Sequence, residues 1–382
     1  MKVLHYIPAI KVDDLVSDYV KTLTSSMKNI AEVHIVTSKE NVAKTLKTIN
    51  PDIVHIHSCW DYATTKVIKT VADRGVAVVL SPHNGLEPYT MKNEQRITKQ
   101  VKRAAYQYRA VAGVDALIAT STFEYDSLVA LGWNKHVGMV LSPILNRNVT
   151  APQMAESAFA YYNKILDTRY FLRMASIEKE TVCHLLHTSK TRNSFFSRIT
   201  EEHLQQMRSL GYEQWRRILM YADDEGVRPL IDTAIRTLRL NVPQIDTQSI
   251  DRYKIGKDKD TEPLERTKLL GGSSSVADKL ADEIGEGEEL LRTITVMVLN
   301  IRYHLRANTL SMRHIADLYD VIRYEDYDED RLVKVLKRVR TNKLATRLLQ
   351  LETEYFYLTE GFLPLPPLDD NGTQAIRNIL LY

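Results

Sequence analysis

Six short β-branched runs, separated by stretches of helical spacing, fill the first 145 residues and constrain the fold more than any other feature of the chain. They are "KVLHYI" (2–7), "EVHIVT" (32–37), "DIVHIH" (52–57), "VAVVLS" (76–81), "DALIAT" (115–120) and "VGMVLS" (137–142). Between the first two, "DLVSDYVKTLTSSM" sets Leu15, Val16, Tyr19, Val20, Leu23 and Met27 near one helical face. Strands that are apolar on both sides need helices over both faces of their sheet, as in parallel sheets built from βαβ crossovers. The rhythm predicts an α/β domain over residues 1–150, a Rossmann-like, doubly wound sheet of six mostly parallel strands.

The rhythm stops near "NRNVTAP" (146–152). Helical periodicity follows over 155–175, 178–188, 200–222, 226–240, 275–308, 311–324 and 329–358, so the C-terminal half is expected to be mostly α-helical. "PQIDTQSIDRYKIGKDKDTEPLERTKLLGGSSS" (243–275) is polar, charged and ends in glycine and serine, as a linker or long loop does. The expected organisation is an α/β domain over 1–150, a helical region over 151–245, a linker or loop over 246–275 and a helical domain over 276–382. The closing "LSMRHIADLYDVIRYEDYDEDRLVKVLKRV" faintly resembles the helical tail of a family of uncharacterised nucleotidyltransferases. That family's catalytic strand, with its paired aspartates, has no counterpart here, so neither residue nor activity is carried over.

In a parallel sheet, ligands bind in the crevice beyond the carboxyl ends of the strands. Those ends read Pro8, His57-Ser58-Cys59-Trp60, His83-Asn84-Gly85, Ser121-Thr122 and Ser142-Pro143. Turn chemistry accounts for Ser58, Pro82 and Ser142, but not for His57, Trp60 and His83, which are not preferred turn formers. In "SPHNGLEPYT" (81–90), Asn84-Gly85 should let the backbone turn while Pro82 and Pro88 stiffen the loop. His83 is therefore either a ligand-facing imidazole or a structural turn residue. The loop after the first run, "PAIKVDD", lacks the glycines of a dinucleotide-binding turn, and no G-x-x-x-x-G-K-[ST] occurs, which argues against nicotinamide and P-loop chemistry.

Taken in order, "PDIVHIHSCWDYAT", "GVAVVLSPHNGLEPYTMKN" and "VDALIATSTFEYDSLVALGW" resemble the N-terminal half of family-four glycosyltransferases of the GT-B fold, over roughly residues 1–148. A His-x-His strand end, an "S-P-H-G-x-L-x-P" turn and a "T-S-x-x-E" turn follow one another in that family at similar spacing. The resemblance implies sugar transfer from a nucleotide sugar to a glycan or lipid-linked acceptor, of the hexosyl type used in polysaccharide biosynthesis. By it, His83 is the catalytic candidate facing the transferred sugar, with Asn84 and Gly85 turning around it. Ser121 and Glu124 correspond to the turn near the crevice, and His57 and Trp60 to the edge of the acceptor pocket. The family's glycine pair after the first strand is replaced by "AIKVDDL", and the marks of its donor-binding half are not found after residue 150. A non-catalytic acceptor-binding or regulatory module that lost that half is the alternative.

Charge and cysteine content narrow the setting. With 51 Lys+Arg against 48 Asp+Glu the chain has no overall electrostatic footprint for nucleic acid. Cys59 and Cys183 cannot build a disulfide framework, and "MKVLHYIPAI" does not read as a signal peptide, so a cytoplasmic protein is expected. In "MKNEQRITKQVKRAAYQYR" (91–109), Ile97, Val101, Ala104 and Tyr108 share one helical face. Lys92, Arg96, Lys99, Lys102, Arg103 and Arg109 lie opposite, with only Glu94 against them. Such a helix either lies on anionic lipid at the inner face of a membrane or simply covers the sheet with a solvated outer side. No cofactor or metal is expected: Cys183 and His187, i and i+4, are only two ligands, best read as a packed Cys with a surface His. Asp326, Asp328 and Asp330 have calcium-loop spacing, but Arg331 replaces the required glycine and Lys337 the glutamate, so they should cap the next helix.

Overall fold

The six runs form six parallel strands in the order β2-β1-β3-β4-β5-β6: β1 (Lys2–Tyr6), β2 (Glu32–Val36), β3 (Ile53–Ile56), β4 (Ala77–Leu80), β5 (Ala116–Ala119) and β6 (Val137–Met139). This is a computed structural model describing residues 1–93, 96–192, 198–254, 258–272 and 274–380. From β1 the chain winds outward to β2, then returns past β1 to β3 and continues the other way. The β1/β3 boundary is thus the topological switch point, where such sheets place their ligand crevice.

Alternation along the strands explains the two-sided cover. Leu4, Tyr6, Val54, Ile56, Val78 and Leu80 pack with Val42 and Leu46 of α2 (Lys39–Ile49) and Val67 and Val71 of α3 (Tyr62–Ala72). Val3, Ile53, Ala77, Val79 and Ile118 pack with α1 (Leu15–Met27) and α8 (Ala151–Thr168). Helices α4 (Pro88–Asn93), α5 (Arg96–Lys102), α6 (Tyr108–Ala112) and α7 (Thr122–Leu131) complete the crossovers, with a π-turn at Arg103–Gln107 joining α5 to α6. Because Met154, Ala158, Tyr162 and Ile165 of α8 are buried on the sheet, this unit continues past residue 150, as Met1–Arg169 together with Ile250–Tyr253. The returning Tyr253 donates its N–H to Thr168 Oγ1 at 2.9 Å and shares a 2.7 Å hydroxyl contact with Tyr161.

The second unit is Tyr170–Ser249 with Lys254–Tyr382, and its α-helices and short 3-10 turns include no strand among the described residues. They are α9 (Ser176–Lys190), α10 (Glu201–Arg208), α11 (Tyr212–Asp224), α12 (Arg228–Thr237), α13 (Ser274–Glu283), α14 (Glu289–Ala307), α15 (Met312–Tyr324), α16 (Glu329–Arg338), α17 (Asn342–Tyr355) and α18 (Asn371–Leu380). The segment between α12 and α13 is irregular yet fastened. Buried Asn300 donates to the carbonyls of Glu265 and Lys268 and accepts from Leu270 N, while Asp317 accepts from Leu264 N.

Candidate functional site

Strand register alone brings histidines together at the switch point. β1 pairs with β3 so that His5 lies opposite His55, on the face covered by α1 and α8. His57 follows two residues later, just past the end of β3, with its N–H on Tyr6 O at 2.8 Å. His5 Nδ1 meets His57 Nε2 at 2.9 Å, and His57 Nδ1 meets His83 Nε2 at 3.1 Å, so three rings form one chain. His55 is held separately, by the Tyr162 hydroxyl at 2.6 Å and the Ser81 hydroxyl at 2.8 Å. Burial lowers all four histidines: His5 to about 3, His83 to about 4, and His55 and His57 well below the usual imidazole range. All four are neutral at pH 7, so each ring has one N–H and one lone pair. His57 is only 2% exposed, so it stands behind the half-buried His83 instead of facing solvent. The inner end of the chain, His5 Nε2, and the neighbouring Tyr19 hydroxyl are buried with no hydrogen-bond partner.

The loop after β4 brings His83 to this edge by an unexpected route. His83 and Asn84 themselves take the left-handed conformation, with φ of 51° and 63°, whereas Gly85 has no positive φ. Glycine is required there by close approach: a Cβ would sit 2.2 Å from Cys59 Sγ and 2.9 Å from Pro82 O. Two successive non-glycine residues with positive φ are costly, of order 1 kcal/mol or more each, and the surroundings must hold them. Glu124 does this. Its Oε1 accepts from Asn84 N at 2.7 Å, and its Oε2 accepts from Thr120 N and Thr120 Oγ1, both at 2.8 Å. Ser121 caps α7 by accepting from Glu124 N. Glu124 is 1% exposed with both oxygens engaged, so it positions the His83 loop and Ser121 positions Glu124.

Trp60 closes the other side. It too is left-handed, with φ of 63°; its N–H reaches Gln107 Oε1 at 2.8 Å, and its carbonyl accepts from Lys102 Nζ at 3.1 Å and the Tyr106 hydroxyl at 2.9 Å. Its ring N–H donates to Gly85 O at 2.5 Å, joining the β3 and β4 loops. This reverses the expected orientation of two basic residues. Lys102 and Lys99, the latter donating to Thr90 O at 2.8 Å, are drawn inward to loop and helix-end backbone carbonyls, and both are half-buried. The apolar residues face out instead: Ile97 is 79% exposed, Val101 64% and Tyr108 48%. Arg103 stays at the surface, over the Trp133 ring at 5.1 Å. The side chains of Lys92 and Arg96, and Glu94 altogether, lie outside the described residues.

Sequence reasoning missed His5, Tyr19, His55, Tyr162 and Gln107. A histidine inside an otherwise apolar strand, as in "KVLHYI" and "DIVHIH", was the available signal, but register between strands was needed to pair them. His187 is 4% exposed and held to Phe356 O at 2.9 Å, so it is a buried histidine, not a surface one. Asp328 caps α16 by accepting from Arg331 N at 2.8 Å, as expected. His5, His55 and His57 each bring a nitrogen within 4.8 Å of the others. Their rings are already committed to one another, to Tyr162, to Ser81 and to His83, so the group is a hydrogen-bond relay and not a vacant ligand set.

No helix among the described residues is long and apolar enough to cross a membrane. No curated protein and no solved structure matches the chain. Residues 26–141, from the end of α1 to the loop after β6 and including the His57, His83 and Glu124 loops, match the family model of Glycosyltransferase Family 4, consistent with the resemblance of this part of the chain to the N-terminal half of that family.

Proposed function

We propose that the protein transfers a sugar from a nucleotide sugar to a glycan or lipid-linked acceptor, with His83 as the residue that meets the transferred sugar. The observation that carries the reading is the neutral His83 imidazole on a strained, doubly anchored turn at the carboxyl edge of the sheet, one ring from the switch-point histidines. With Nε2 engaged by His57, Nδ1 is the atom left for a sugar hydroxyl, and a neutral ring offers it either a donor or an acceptor. A neutral ring does not stabilise charge on a leaving diphosphate, so His83 orients the sugar and other groups meet the phosphates. Trp60 and the outward face of α5 border the acceptor side. Exposed Ile97, Val101 and Tyr108 with Arg103 and Arg109 fit an acceptor presented at an anionic lipid surface.

The test is a thermal-shift and calorimetric screen against UDP- and GDP-linked sugars. A donor at one hundred times its Kd raises stability by about 2.7 kcal/mol, and His83→Asn should abolish most of that response. A second reading, an acceptor-binding module without transfer, draws on the helical second unit, which has no second parallel sheet among its described residues. It predicts no response to any nucleotide sugar and a retained response to acceptor glycans.

A further inference from the structure

The second unit holds a ligand set that the sugar-transfer reading does not use. α14 ends in the left-handed Asn308, with φ of 56°, and α15 begins after the N-cap Ser311, so a short turn, Thr309–Ser311, joins them. Asp260, from the irregular segment, is clamped to that turn on both sides: its N–H donates to Thr309 O at 2.9 Å, and its carbonyl accepts from Ser311 Oγ at 2.5 Å. His304, on the last turn of α14, and His314, on the first turn of α15, flank it, 3% and 1% exposed. Their ring centroids are 4.2 Å apart, and Asp260 Oδ2 lies 3.9 Å from His304 Nδ1, too far for a hydrogen bond. A ligating atom of each residue lies within 4.8 Å of the other two.

We propose that Asp260, His304 and His314 bind a divalent first-row transition-metal ion, of the Zn2+ or Fe2+ class. Three features carry this. Two imidazoles and one carboxylate converge, and no hydrogen bond among the three accounts for it. Imidazole nitrogen selects transition metals over Mg2+ and Ca2+, and three protein ligands leave positions open to water or substrate. The backbone clamp fixes Asp260 beside both rings before any ion arrives, while its side chain, 41% exposed, gives access. A shared ion about 2.1 Å from each donor spans donors up to about 4 Å apart; Asp260 Oδ1 accepts from Glu262 N at 3.1 Å, and a rotation of the carboxylate that gives up this exposed bond brings it to the ion. Thr309 Oγ1, 2.9 Å from His304 Nδ1, fixes that ring's orientation and leaves Nε2 as the nitrogen for the ion. Ser311 N reaches His314 Nδ1 only at 3.5 Å, a contact weak enough to yield to a metal. Burial keeps both rings neutral, His314 at about 4 and His304 below its usual value, as ligation requires. The nearby Arg313 is paired with Asp317, so it leaves the Asp260 charge available.

The experiment titrates EDTA-treated, re-purified full-length protein with Co2+, read by visible absorption, and with Zn2+, read by calorimetry and melting temperature. One equivalent should bind and raise the melting temperature. Asp260→Asn, at an exposed side chain and therefore safe for folding, should weaken binding about tenfold or more, Thr309→Ala about 10- to 100-fold, and His304→Gln/His314→Gln should abolish it. His57→Gln, which breaks the other histidine group, should leave it unchanged. The proposal is overturned if neither ion binds at millimolar concentration, if Asp260→Asn binds as tightly as wild type, or if binding is lost in His57→Gln and kept in Asp260→Asn.

Discussion

His83, His57 and His5 form a chain of neutral rings in which the middle one, His57, donates once and accepts once, so the tautomer of one sets the next. A proton added to the middle ring turns its acceptor into a donor and opposes a neighbour. This fixes the direction of a pH effect. Above pH 6.5 the histidines are neutral both folded and unfolded, and their contribution is fully present. As pH falls below 6.5 the unfolded chain takes up protons that the folded chain refuses until about 4 at His83 and about 3 at His5. Stability is therefore lost over that window, at about 1.4 kcal/mol per pH unit for each such histidine. Urea unfolding at pH 7, 6 and 5, followed by Trp60 and Trp133 fluorescence in a Trp215→Phe background, should show a falling midpoint. His5→Gln should flatten the slope. An unchanged slope would mean that His5 is not held neutral by the fold. His83→Ala should cost about 1–3 kcal/mol, because it leaves His57 Nδ1 buried without a partner, so His83 contributes to the fold as well as to the proposed site.

At the scale of elements, the loops after β3, β4 and β5 act as one assembly through Glu124 and Gly85. Gly85→Ala should destabilise the first unit, since the added methyl meets Cys59 Sγ at 2.2 Å and the Pro82 carbonyl at 2.9 Å. Adding Cys59→Ala should restore part of the loss and not all, because the carbonyl cannot move as freely as the thiol. Denaturation of the two variants beside wild type separates these contributions, and full recovery would show that the backbone contact is harmless. Which parts of this were legible follows from the range of the forces involved. The strands were readable because apolar runs and turn residues are local signals, and all six appear where the β-branched runs lie. Helix breaks were less so. The run expected over 275–308 is interrupted at Gly285–Glu288, where Gly287 has φ of 81°, and 329–358 breaks at the left-handed Arg340, where Thr341 N bonds Leu336 O. α18, over Asn371–Leu380, went unrecognised behind the proline-rich "LPLPP". The roles of Glu124, Lys99 and Lys102 depended on which backbone groups lacked partners in loops remote in sequence, and no local pattern carries that.

For the whole molecule, net charge and local surface make opposite statements about membranes. A formal charge of +3 on 382 residues gives almost no long-range attraction to an anionic surface. Any affinity must be local, and at the proposed acceptor side the outward face of α5 and the turn after it carry an apolar stripe with arginines beside it. Lys99 and Lys102 bond to backbone carbonyls, so reversing them would loosen the Trp60 loop and confuse binding with folding. The cleaner variants change Ile97 and Val101 to Ser, and Arg103 and Arg109 to Glu, all at exposed side chains. In flotation with phosphatidylserine-containing vesicles, wild type should bind at 50 mM salt and detach towards 0.5 M as the Debye length falls from roughly 14 Å to roughly 4 Å. The arginine variant should lose the salt-sensitive part, and the Ile97/Val101 variant should lose the part that persists in salt. Equal binding by all three proteins, or none at low salt, would leave the exposed stripe without a role in lipid contact.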